Sequence, residues 1–392
     1  MTDYDIMYVK MRSLGMESKA AKMFIKRFSE DERVFPASAE EKKWAMERGF
    51  FPGRIMLYGL TEENYKNYVP DYHYYMLHPF NHHFKIWVND KLTLKYILNS
   101  SECADVMPAY YLYIENDGSY TYLMDCPDYI KKDEDFLWNL LCDKKILAMK
   151  PNSGTFGGMG FIKLEIRDGS LYENNILIDK KRFSEICESV RNYIVTEYVY
   201  QHPELAGIWP YSECTLRVVM CKNVKRKFFE KDFWSCVVSY ARFGSSVSGG
   251  ASNLSSGGIG IGFDFDSGVF NECGIRYKEF CEDGIWIMKK HPDTKVEWGA
   301  LGLPNYDIVK QKIYQVCNYI SSLSYLGFDI IVSENGMKLC EINTRPAMTY
   351  EQVMNGPILL KGSIKEFFMY KRINKFDGQD FYRAYLTSQS LT

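Results

Sequence analysis

Two acidic residues and an asparagine near the C-terminal end could hold a metal ion. The stretch Phe328–Pro346, FDIIVSENGMKLCEINTRP, predicts two short strands, with Asp329 on the first and Glu341 and Asn343 on the second. Alternate side chains of a strand share a face, so Glu341 and Asn343 point the same way. Two carboxylates and an amide oxygen form the all-oxygen set that Mg²⁺ or Mn²⁺ prefers beside a polyphosphate. An ordinary hairpin with solvated acids is the alternative.

The connection between these two strands decides whether the acids meet. A three-residue connection, Glu334–Gly336 with glycine in the left-handed region, would set Asp329 directly opposite Glu341. A two-residue Asn-Gly turn would slip the register and send Asp329 to the other face. The metal hypothesis therefore favours the longer connection.

A glycine-rich loop lies about 180 residues upstream. The segment Ile146–Lys163, ILAMKPNSGTFGGMGFIK, begins as an apolar strand, continues with Lys150 and four glycines, and ends in a second apolar run. Glycine backbone N–H groups can close around phosphate oxygens, and a lysine adds a point charge. The loop lacks the Gly-Lys-Ser/Thr of a Walker motif, and strand rather than helix follows it. We interpret it as a glycine hairpin that folds over phosphates; a plain flexible turn is the alternative.

Length and composition exclude several classes of protein. The 392 residues suggest roughly two or three domains with enough apolar side chains for real cores. A net charge of −2, with acids and bases interspersed, gives no electrostatic footprint for nucleic acid or an anionic membrane. The 11 cysteines are scattered without a C-x-x-C pair, which favours reduced thiols over disulfides or structural zinc. Because we find no signal-peptide core and no apolar run near the ~20 residues of a membrane span, we expect a cytoplasmic protein without a transmembrane segment.

The pattern along the chain predicts an α+β (mixed α/β) fold. Residues 1 to about 50 carry charged, helix-favouring text, in which Ser38 and Glu41 have the spacing of a capping box. Residues 51–88 are rich in aromatic residues and histidines, whose irregular spacing favours packing over a metal site. Predicted strands dominate from about residue 89, and helical periodicity is clearest at Tyr306–Tyr325. Hairpins mixed with helices indicate this class rather than a parallel sheet.

Together these motifs resemble the ATP-grasp superfamily. More narrowly, VTEYVYQHPEL, TLRVV, the Gly/Ser run ending GGIGI, HPDT and LGFDI followed by EIN are similar to the sugar-transfer-associated ATP-grasp family, in the expected order over roughly residues 85–365. The resemblance implies two α+β subdomains that clasp ATP, after a helical, aromatic-rich N-terminal region. It implies boundaries at 1–88 for that region, 89–200 for the small lid subdomain with the glycine loop, 201–370 for the metal and substrate subdomain, and 371–392 for a C-terminal tail.

The resemblance also implies roles in nucleotide binding. Lys150 and Lys91 resemble the two lysines that hold the α- and β-phosphates, and Lys95, which would otherwise be an exposed helical lysine, is a rival for the second role. Glu197 resembles the hinge acid that accepts from the adenine amino group. His202 falls where ribose contacts often lie, although it could equally be a structural histidine. The remaining cofactor-binding candidates are Ser153, Gly157, Gly158, Tyr198 and Tyr200.

Further residues are candidates for catalysis and for substrate binding. Arg217 resembles the arginine that steadies the transferred phosphoryl group. The planar fork of Arg345 suits an acyl phosphate or a substrate carboxylate, and a structural salt bridge is its alternative. Asp329, Glu341 and Asn343 resemble the Mg²⁺ ligands. Weaker substrate candidates are Asn253, Ser256 and Gln352.

The chemistry that this resemblance implies is an ATP- and Mg²⁺-dependent ligation of a carboxylate to an amine. The carboxylate would attack the γ-phosphorus to give an acyl phosphate and ADP, and the amine would then displace phosphate. An association with sugar transfer suggests small-molecule or sugar-linked substrates in surface-polysaccharide biosynthesis. The alternatives are an ATP-grasp kinase that phosphorylates a small acceptor, and a nucleotide-binding interaction protein without turnover.

Overall fold

Helices occupy both ends of the chain, and strands occupy most of its middle. The computed structural model describes residues 2–99, 102–153, 160–228, 230, 232–249, 251–282, 284 and 286–390. The α-helices are α1 (Asp3–Ser13), α2 (Ser18–Val34), α3 (Ala39–Glu47), α4 (Arg54–Tyr58), α5 (Asp71–Met76), α6 (Ile86–Asn89), α7 (Lys91–Asn99), α8 (Phe136–Lys144), α9 (Lys180–Ser189), α10 (Pro203–Ile208), α11 (Tyr306–Tyr319), α12 (Tyr350–Asn355), α13 (Gly362–Tyr370) and α14 (Gly378–Ser390). The strands are β1 (Tyr110–Ile114), β2 (Tyr120–Tyr122), β3 (Ile146–Pro151), β4 (Ile162–Arg167), β5 (Ser170–Glu173), β6 (Ile176–Ile178), β7 (Tyr193–Glu197), β8 (Thr215–Lys222), β9 (Trp234–Phe243), β10 (Ile259–Phe263), β11 (Phe270–Ile275), β12 (Ile287–Met288), β13 (Tyr325–Ser333) and β14 (Gly336–Asn343).

The first sheet is built from residues 110–197 and is antiparallel. Among the described residues it has seven strands, in the order β2-β1-β7-β3-β4-β5-β6. One face packs on α8 and α9, with Leu140, Leu147 and Val195 fully buried between the layers. Lys150 and its strand partner Ile194 lie on the other face, and Ile194 belongs to the core shared with the second sheet. This arrangement directs Lys150 towards the second sheet.

The second sheet carries most of the candidate site. Its seven described strands run in the order β12-β11-β10-β9-β8-β13-β14, again antiparallel. One face packs on the amphipathic helix α11 through Val309, Ile313 and Val316. The opposite face is covered at one end by α13, whose Phe367 and Phe368 are fully buried. Two antiparallel sheets with flanking helices confirm the predicted α+β class.

The N-terminal helices form a separate aromatic core with the last helix. Phe24, Phe28 and Phe381 are buried together, and their rings meet edge to face at 5.1–5.5 Å. The predicted capping box is confirmed, because Ser38 and Glu41 exchange side-chain and backbone hydrogen bonds at the start of α3. The segment expected to be a tail thus contains a helix, α14, that packs on α1 and α3. No helix within the described ranges is long and apolar enough to cross a membrane.

The predicted helical periodicity and the predicted turn both need correction. The helix α11 ends at Tyr319, and Tyr325 already begins β13. The connection between β13 and β14 has two residues rather than three, because Ser333 pairs with Gly336. A β-bulge at Cys340 adds one residue to β14, so that Asp329 still pairs with Glu341. The pairing follows from this bulge rather than from the turn length.

Candidate active site

A row of charged residues crosses three neighbouring strands of the second sheet. Arg217 on β8 pairs with Asp329 on β13, which pairs in turn with Glu341 on β14. The guanidinium of Arg217 contacts both carboxylate oxygens of Asp329, with Nη2 2.9 Å from Oδ2. Arg242, from β9, reaches the same carboxylate at 3.1 Å. With Arg242 the row extends over four neighbouring strands and places two arginines and two acids on one face of the sheet.

The two arginines control the ionisation of Asp329. Its carboxylate is buried, and burial alone would raise its pKa. The charges of Arg217 and Arg242 outweigh burial and lower the pKa of Asp329 to about 2. Two guanidinium groups on one carboxylate leave a net positive charge at this point, which suits the binding of a phosphoryl oxygen.

Asn343 marks the point where the two carboxylates converge. Its Nδ2 atom lies 2.9 Å from Glu341 Oε1 and 3.3 Å from Asp329 Oδ2. Rotating the amide by half a turn presents its oxygen to the same point, so three oxygens can face one cation. In the part of the chain that the structure describes, no three His, Cys, Asp or Glu side chains are grouped to hold a metal. Asp329, Glu341 and Asn343 thus converge on one point, as predicted. Both oxygens of Asp329 already contact Arg217, so a cation would have to share them, and the role of the three residues as metal ligands stays a prediction.

Two lysines approach this acidic end of the sheet. Lys91, the first residue of α7, lies 3.4 Å from Glu341 and 3.3 Å from the carbonyl oxygen of Pro151. Burial lowers the pKa of Lys150, the charge of Lys91 adds to this effect, and the negative charge of Glu341 opposes it. The two candidate phosphate-binding lysines thus come together beside one of the candidate metal ligands.

Lys95 fits neither of the two roles considered for it, a phosphate-binding lysine or an exposed helical one. It is buried rather than exposed, and its ammonium group lies 2.7 Å from Asp125 and 2.9 Å from the carbonyl oxygen of Pro108. A lysine committed to a buried ion pair is poorly placed to hold a phosphate. This geometry favours Lys91 over Lys95 as the partner of Lys150.

A cleft of about 700 Å³ opens between the end of β7 and the β13–β14 turn. Glu197, Tyr198 and Tyr200 line it on one side, and Lys338 lies on the other. The Oε1 atom of Glu197 is buried without a hydrogen bond, and its nearest cation is Lys338 at 3.5 Å. A buried acceptor that lacks a donor is what a cleft for an amino-bearing ring would present. The cleft therefore fits the predicted adenine site.

Tyr198, Tyr200 and His202 differ in how firmly the protein holds them. The hydroxyl of Tyr198 donates to Glu213 at 2.7 Å, whereas Tyr200 is exposed. His202 caps α10 by accepting from the backbone N–H of Glu204 at 3.3 Å. This use of the imidazole favours its structural alternative, while its neighbours Gln201 and Pro203 line the cleft.

The remaining candidates have other partners or lie at or beyond the edge of the described residues. Arg345 is held at 2.8 Å by Glu17, which caps the start of α2, and its second terminal nitrogen, Nη1, is buried without a partner. Ser153 is exposed at the last described position before the glycine loop. Gly157 and Gly158 lie outside the described residues, so their assignment stays a prediction.

The substrate candidates are tied to the protein itself. Both polar atoms of the Gln352 side chain are engaged, with Oε1 2.9 Å from the N–H of Val69 and Nε2 3.1 Å from its carbonyl oxygen. Asn253 begins the 3₁₀ turn that contains Ser256, and its carbonyl oxygen accepts from the Ser256 N–H at 3.1 Å. These contacts favour structural roles for Gln352 and for the Asn253 backbone.

Two residues near the site were missed by the sequence analysis. Arg242 lies in the apolar strand text WSCVVSYARF, where strict alternation with Tyr240 could have indicated its face. Asn152 is buried directly after β3, and its side chain accepts from Leu92 N–H at 2.9 Å and donates to Asp90 at 2.6 Å. Asn152 lies within the glycine-loop segment, but nothing in its residue type or spacing indicates these two contacts.

Comparison with known proteins assigns the family. The sequence matches the family model described as sugar-transfer associated ATP-grasp over residues 73–366. Similar solved structures include N5-carboxyaminoimidazole synthetase from Staphylococcus aureus complexed with ADP (8% identity, covering 68% of this chain and 48% of that chain, TM-score 0.36), D-alanine–D-alanine ligase from Bacillus anthracis (12%, 74% and 70%, 0.37) and biotin carboxylase from Campylobacter jejuni (10%, 74% and 46%, 0.39). The chain spans about half the length of the synthetase and of the carboxylase. No curated protein sequence matches. Because the family model spans about three quarters of the chain, the protein belongs to the sugar-transfer associated ATP-grasp family.

Proposed function

We propose that the protein is an ATP- and Mg²⁺-dependent ligase that joins a carboxylate to an amine through an acyl phosphate. The observation that carries this proposal is the row Arg217–Asp329–Glu341, with Asn343 and Lys91 at its acidic end. Phosphoryl transfer requires positioned positive charge around the transferred group. The row provides that charge on a rigid sheet instead of a loop.

Each part of the cleft has a separate task in this proposal. Glu197 would accept a hydrogen bond from the adenine amino group, because it lines the cleft and its Oε1 atom has no hydrogen-bond donor. Lys91 and Lys150 would hold phosphate oxygens. Asp329, Glu341 and Asn343 would hold Mg²⁺, which when bound neutralises phosphate charge and polarises the phosphoryl group. No side-chain nucleophile is needed, since the substrate carboxylate attacks phosphorus directly.

The positive charge that Asp329 does not neutralise is the feature that would act on the transferred group. A single arginine would form a neutral pair with this carboxylate, whereas Arg217 and Arg242 exceed it by one charge. The acid on the next strand, Glu341, has its own cation in Lys91. That charge would stabilise the equatorial oxygens of the phosphoryl group as it moves to the carboxylate. The resulting acyl phosphate would then be attacked by the amine, with phosphate leaving.

The substrates in this proposal come from the family description. A sugar-transfer association supports a sugar-linked or amino-acid substrate in surface-polysaccharide biosynthesis. A uronic acid could supply the carboxylate, and an amino acid or amino sugar the amine. Both reactants are small polar molecules that a cleft beside the arginine row could accept.

Release of ADP in the presence of Mg²⁺ provides the test. Purified protein is incubated with ATP and pairs drawn from uronic acids, amino acids and amino sugars, and the products are identified by mass spectrometry. A ligase requires both reactants for sustained ADP release. Hydroxylamine should replace the amine and yield a hydroxamate, because it traps an acyl phosphate. A stable phosphorylated acceptor without hydroxamate would indicate a kinase, and Mg²⁺-dependent ATP binding without any ADP would indicate a binding protein.

A further inference from the structure

A strongly basic surface lies at the end of the second sheet away from the arginine row. We define the basic patch as residues 222–228, which begin the β8–β9 connection, and residues 360–375, which include α13. Together the two segments contain nine Lys or Arg residues and one acidic residue, Glu366. Their net charge is +8, against −2 for the whole chain. Acids and bases are interspersed along most of the sequence, but the fold brings two basic segments together on one surface.

Contacts between the two segments make the patch one surface. The ammonium group of Lys225 forms an ion pair with Glu366 of α13, and α13 packs on both β8 and β9. Burial lowers the pKa of Lys371, and the nearby charge of Lys222 lowers it further. Like charges are thus held close together, at an electrostatic cost that a binding partner of opposite charge would relieve.

Large apolar side chains stand exposed among these cations. Tyr370 is 68% exposed and Leu360 65% exposed. The other exposed apolar side chains of the patch are less exposed than these two; they are Met369, Phe228 and Val224. Nucleic-acid phosphates would engage the cations but would leave a leucine and a methionine in water. The boundary between lipid headgroups and acyl chains accommodates both kinds of side chain.

We propose that the basic patch docks on the surface of an anionic lipid bilayer. Its lysines and arginines would contact headgroup phosphates, and the exposed apolar side chains would enter the boundary beneath them. The proposal does not depend on the ligase reaction. It does have a spatial consequence, because Arg217 and Lys222 both lie on β8. The five residue steps between them span about 17 Å. A docked protein would thus keep its arginine row close to the bilayer.

Vesicle co-sedimentation of the full chain tests the docking. We expect binding to vesicles that contain phosphatidylglycerol, weaker binding at high salt, and little binding to pure phosphatidylcholine. The charge-reversed triple variant Arg226→Glu, Lys227→Glu and Lys365→Glu should lower the partition coefficient by about 100-fold or more, since each basic residue near the surface contributes about fivefold and each new glutamate is repelled by the anionic headgroups. All three side chains are exposed.

A matched control separates the patch from overall charge. The control variant replaces three exposed lysines on other surfaces by glutamate, namely Lys22, Lys43 and Lys181. It should bind vesicles like the wild type, apart from a small loss of affinity caused by its lower net charge. Melting temperature and ADP release report whether each variant is folded. Should the triple variant unfold, the single Arg226→Glu variant and the salt dependence of the wild type decide the question.

A second variant addresses the apolar side chains. Replacing Phe228 and Leu360 by serine keeps every charge. We expect this variant to bind vesicles at low salt, but to dissociate from them at a lower salt concentration than the wild type does. The proposal is overturned by absence of binding to anionic vesicles, or by equal binding of the wild type and the charge-reversed variant. Binding of RNA without binding of vesicles would also overturn it and would assign the patch to nucleic acid.

Discussion

Arg217 and Asp329 face each other across neighbouring strands, and the guanidinium contacts both oxygens of the carboxylate. Because the two residues are fixed by strand pairing, their relative position does not depend on loop conformation. Asp329 also meets Arg242, so its charge is shared between two arginines. The arrangement is rigid, and with Lys91 beside Glu341 its three cations outnumber its two acids, which is why we place phosphoryl transfer here.

Replacing Arg217 by lysine should separate charge from geometry. Lysine keeps the positive charge but lacks the planar fork, so it can contact only one oxygen of Asp329 at a time. We expect the turnover number for ADP release to fall by about 100-fold or more, with a much smaller change in the KM for ATP. Steady-state kinetics measure both. The matched control is Arg182→Lys, an exposed arginine on α9 that should keep full activity; normal turnover of the Arg217 variant would remove this residue from the reaction.

Replacing Glu341 by glutamine tests the cation site. The side chain is one third exposed, so loss of its charge should leave the fold intact, whereas turnover should drop by about 100-fold or more because one hard anionic ligand is gone. Activity as a function of Mg²⁺ concentration should also shift to higher concentrations. Glu188→Gln, on the exposed side of α9, provides the control. Unchanged activity and unchanged Mg²⁺ dependence would exclude Glu341 from the site.

Glu197 should determine the preference for adenine. We expect Glu197→Gln to weaken ATP binding by about tenfold, as befits a hydrogen bond to a charged acceptor. Affinity for ITP, whose base carries an oxygen in place of the amino group, should change much less. Isothermal titration of both nucleotides with the wild type and the variant measures the difference. Equal losses for ATP and ITP would contradict an interaction with the amino group, and Glu185→Gln on the surface controls for the charge change.

Gln352 should matter for stability and not for substrate. Removing its amide leaves the N–H and C=O of Val69 without their partners in a buried region. We expect Gln352→Ala to lower the free energy of unfolding by about 1–3 kcal/mol, while the KM values for both substrates stay unchanged. Denaturant titration and steady-state kinetics provide the two measurements. A raised KM with unaltered stability would restore Gln352 as a substrate contact.

His78 should make the protein less stable in mild acid. Burial and the nearby charge of Arg345 lower the pKa of His78 to about 3, whereas the unfolded chain has a value near 6.5. The unfolded state therefore binds a proton first, and stability falls as the pH drops from about 6.5 towards 3. Between pH 7 and pH 5 we expect this residue to account for a loss of up to ~2 kcal/mol.

The comparison with His78→Gln isolates that contribution. Because other groups titrate as well, the measured quantity is the change in unfolding free energy between the two pH values, taken for each protein separately. The variant should lose less stability than the wild type. Equal losses would mean that His78 is already protonated, or accessible to protons, in the folded protein.

Strand alternation was sufficient to predict that Glu341 and Asn343 share a face and that Arg217 points away from its apolar neighbours Leu216 and Val218. It could not decide whether Asp329 lies on the same face as Glu341, because that depends on how the two strands pair. The position of the capping box was equally accessible, because Ser38 and Glu41 are neighbours in sequence. Features set by residues that are close together in the sequence could thus be predicted from the sequence.

Features that depend on distant partners escaped the sequence analysis. The bulge at Cys340 has no local signature, because an extra residue in one strand is visible only against its neighbour. Lys95 was considered as a phosphate-binding lysine or an exposed helical one, and only the fold shows that its ammonium group contacts Asp125 and the carbonyl oxygen of Pro108. Arg242 on β9 contacts Asp329 on β13 although β8 lies between these two strands in the sheet. In each instance the deciding contact joins segments whose pairing the sequence does not specify.

Asn152 has a mechanical consequence for nucleotide capture. Through its side chain it fastens Asp90 and Leu92 at the beginning of α7, and through its carbonyl oxygen it accepts from the N–H of Lys91 at 3.2 Å. Lys150 is only two positions away on the same backbone. The two lysines come from elements about 60 residues apart, but these hydrogen bonds couple their positions. Any tilt of the end of β3 would therefore move both lysines together, towards or away from an incoming triphosphate.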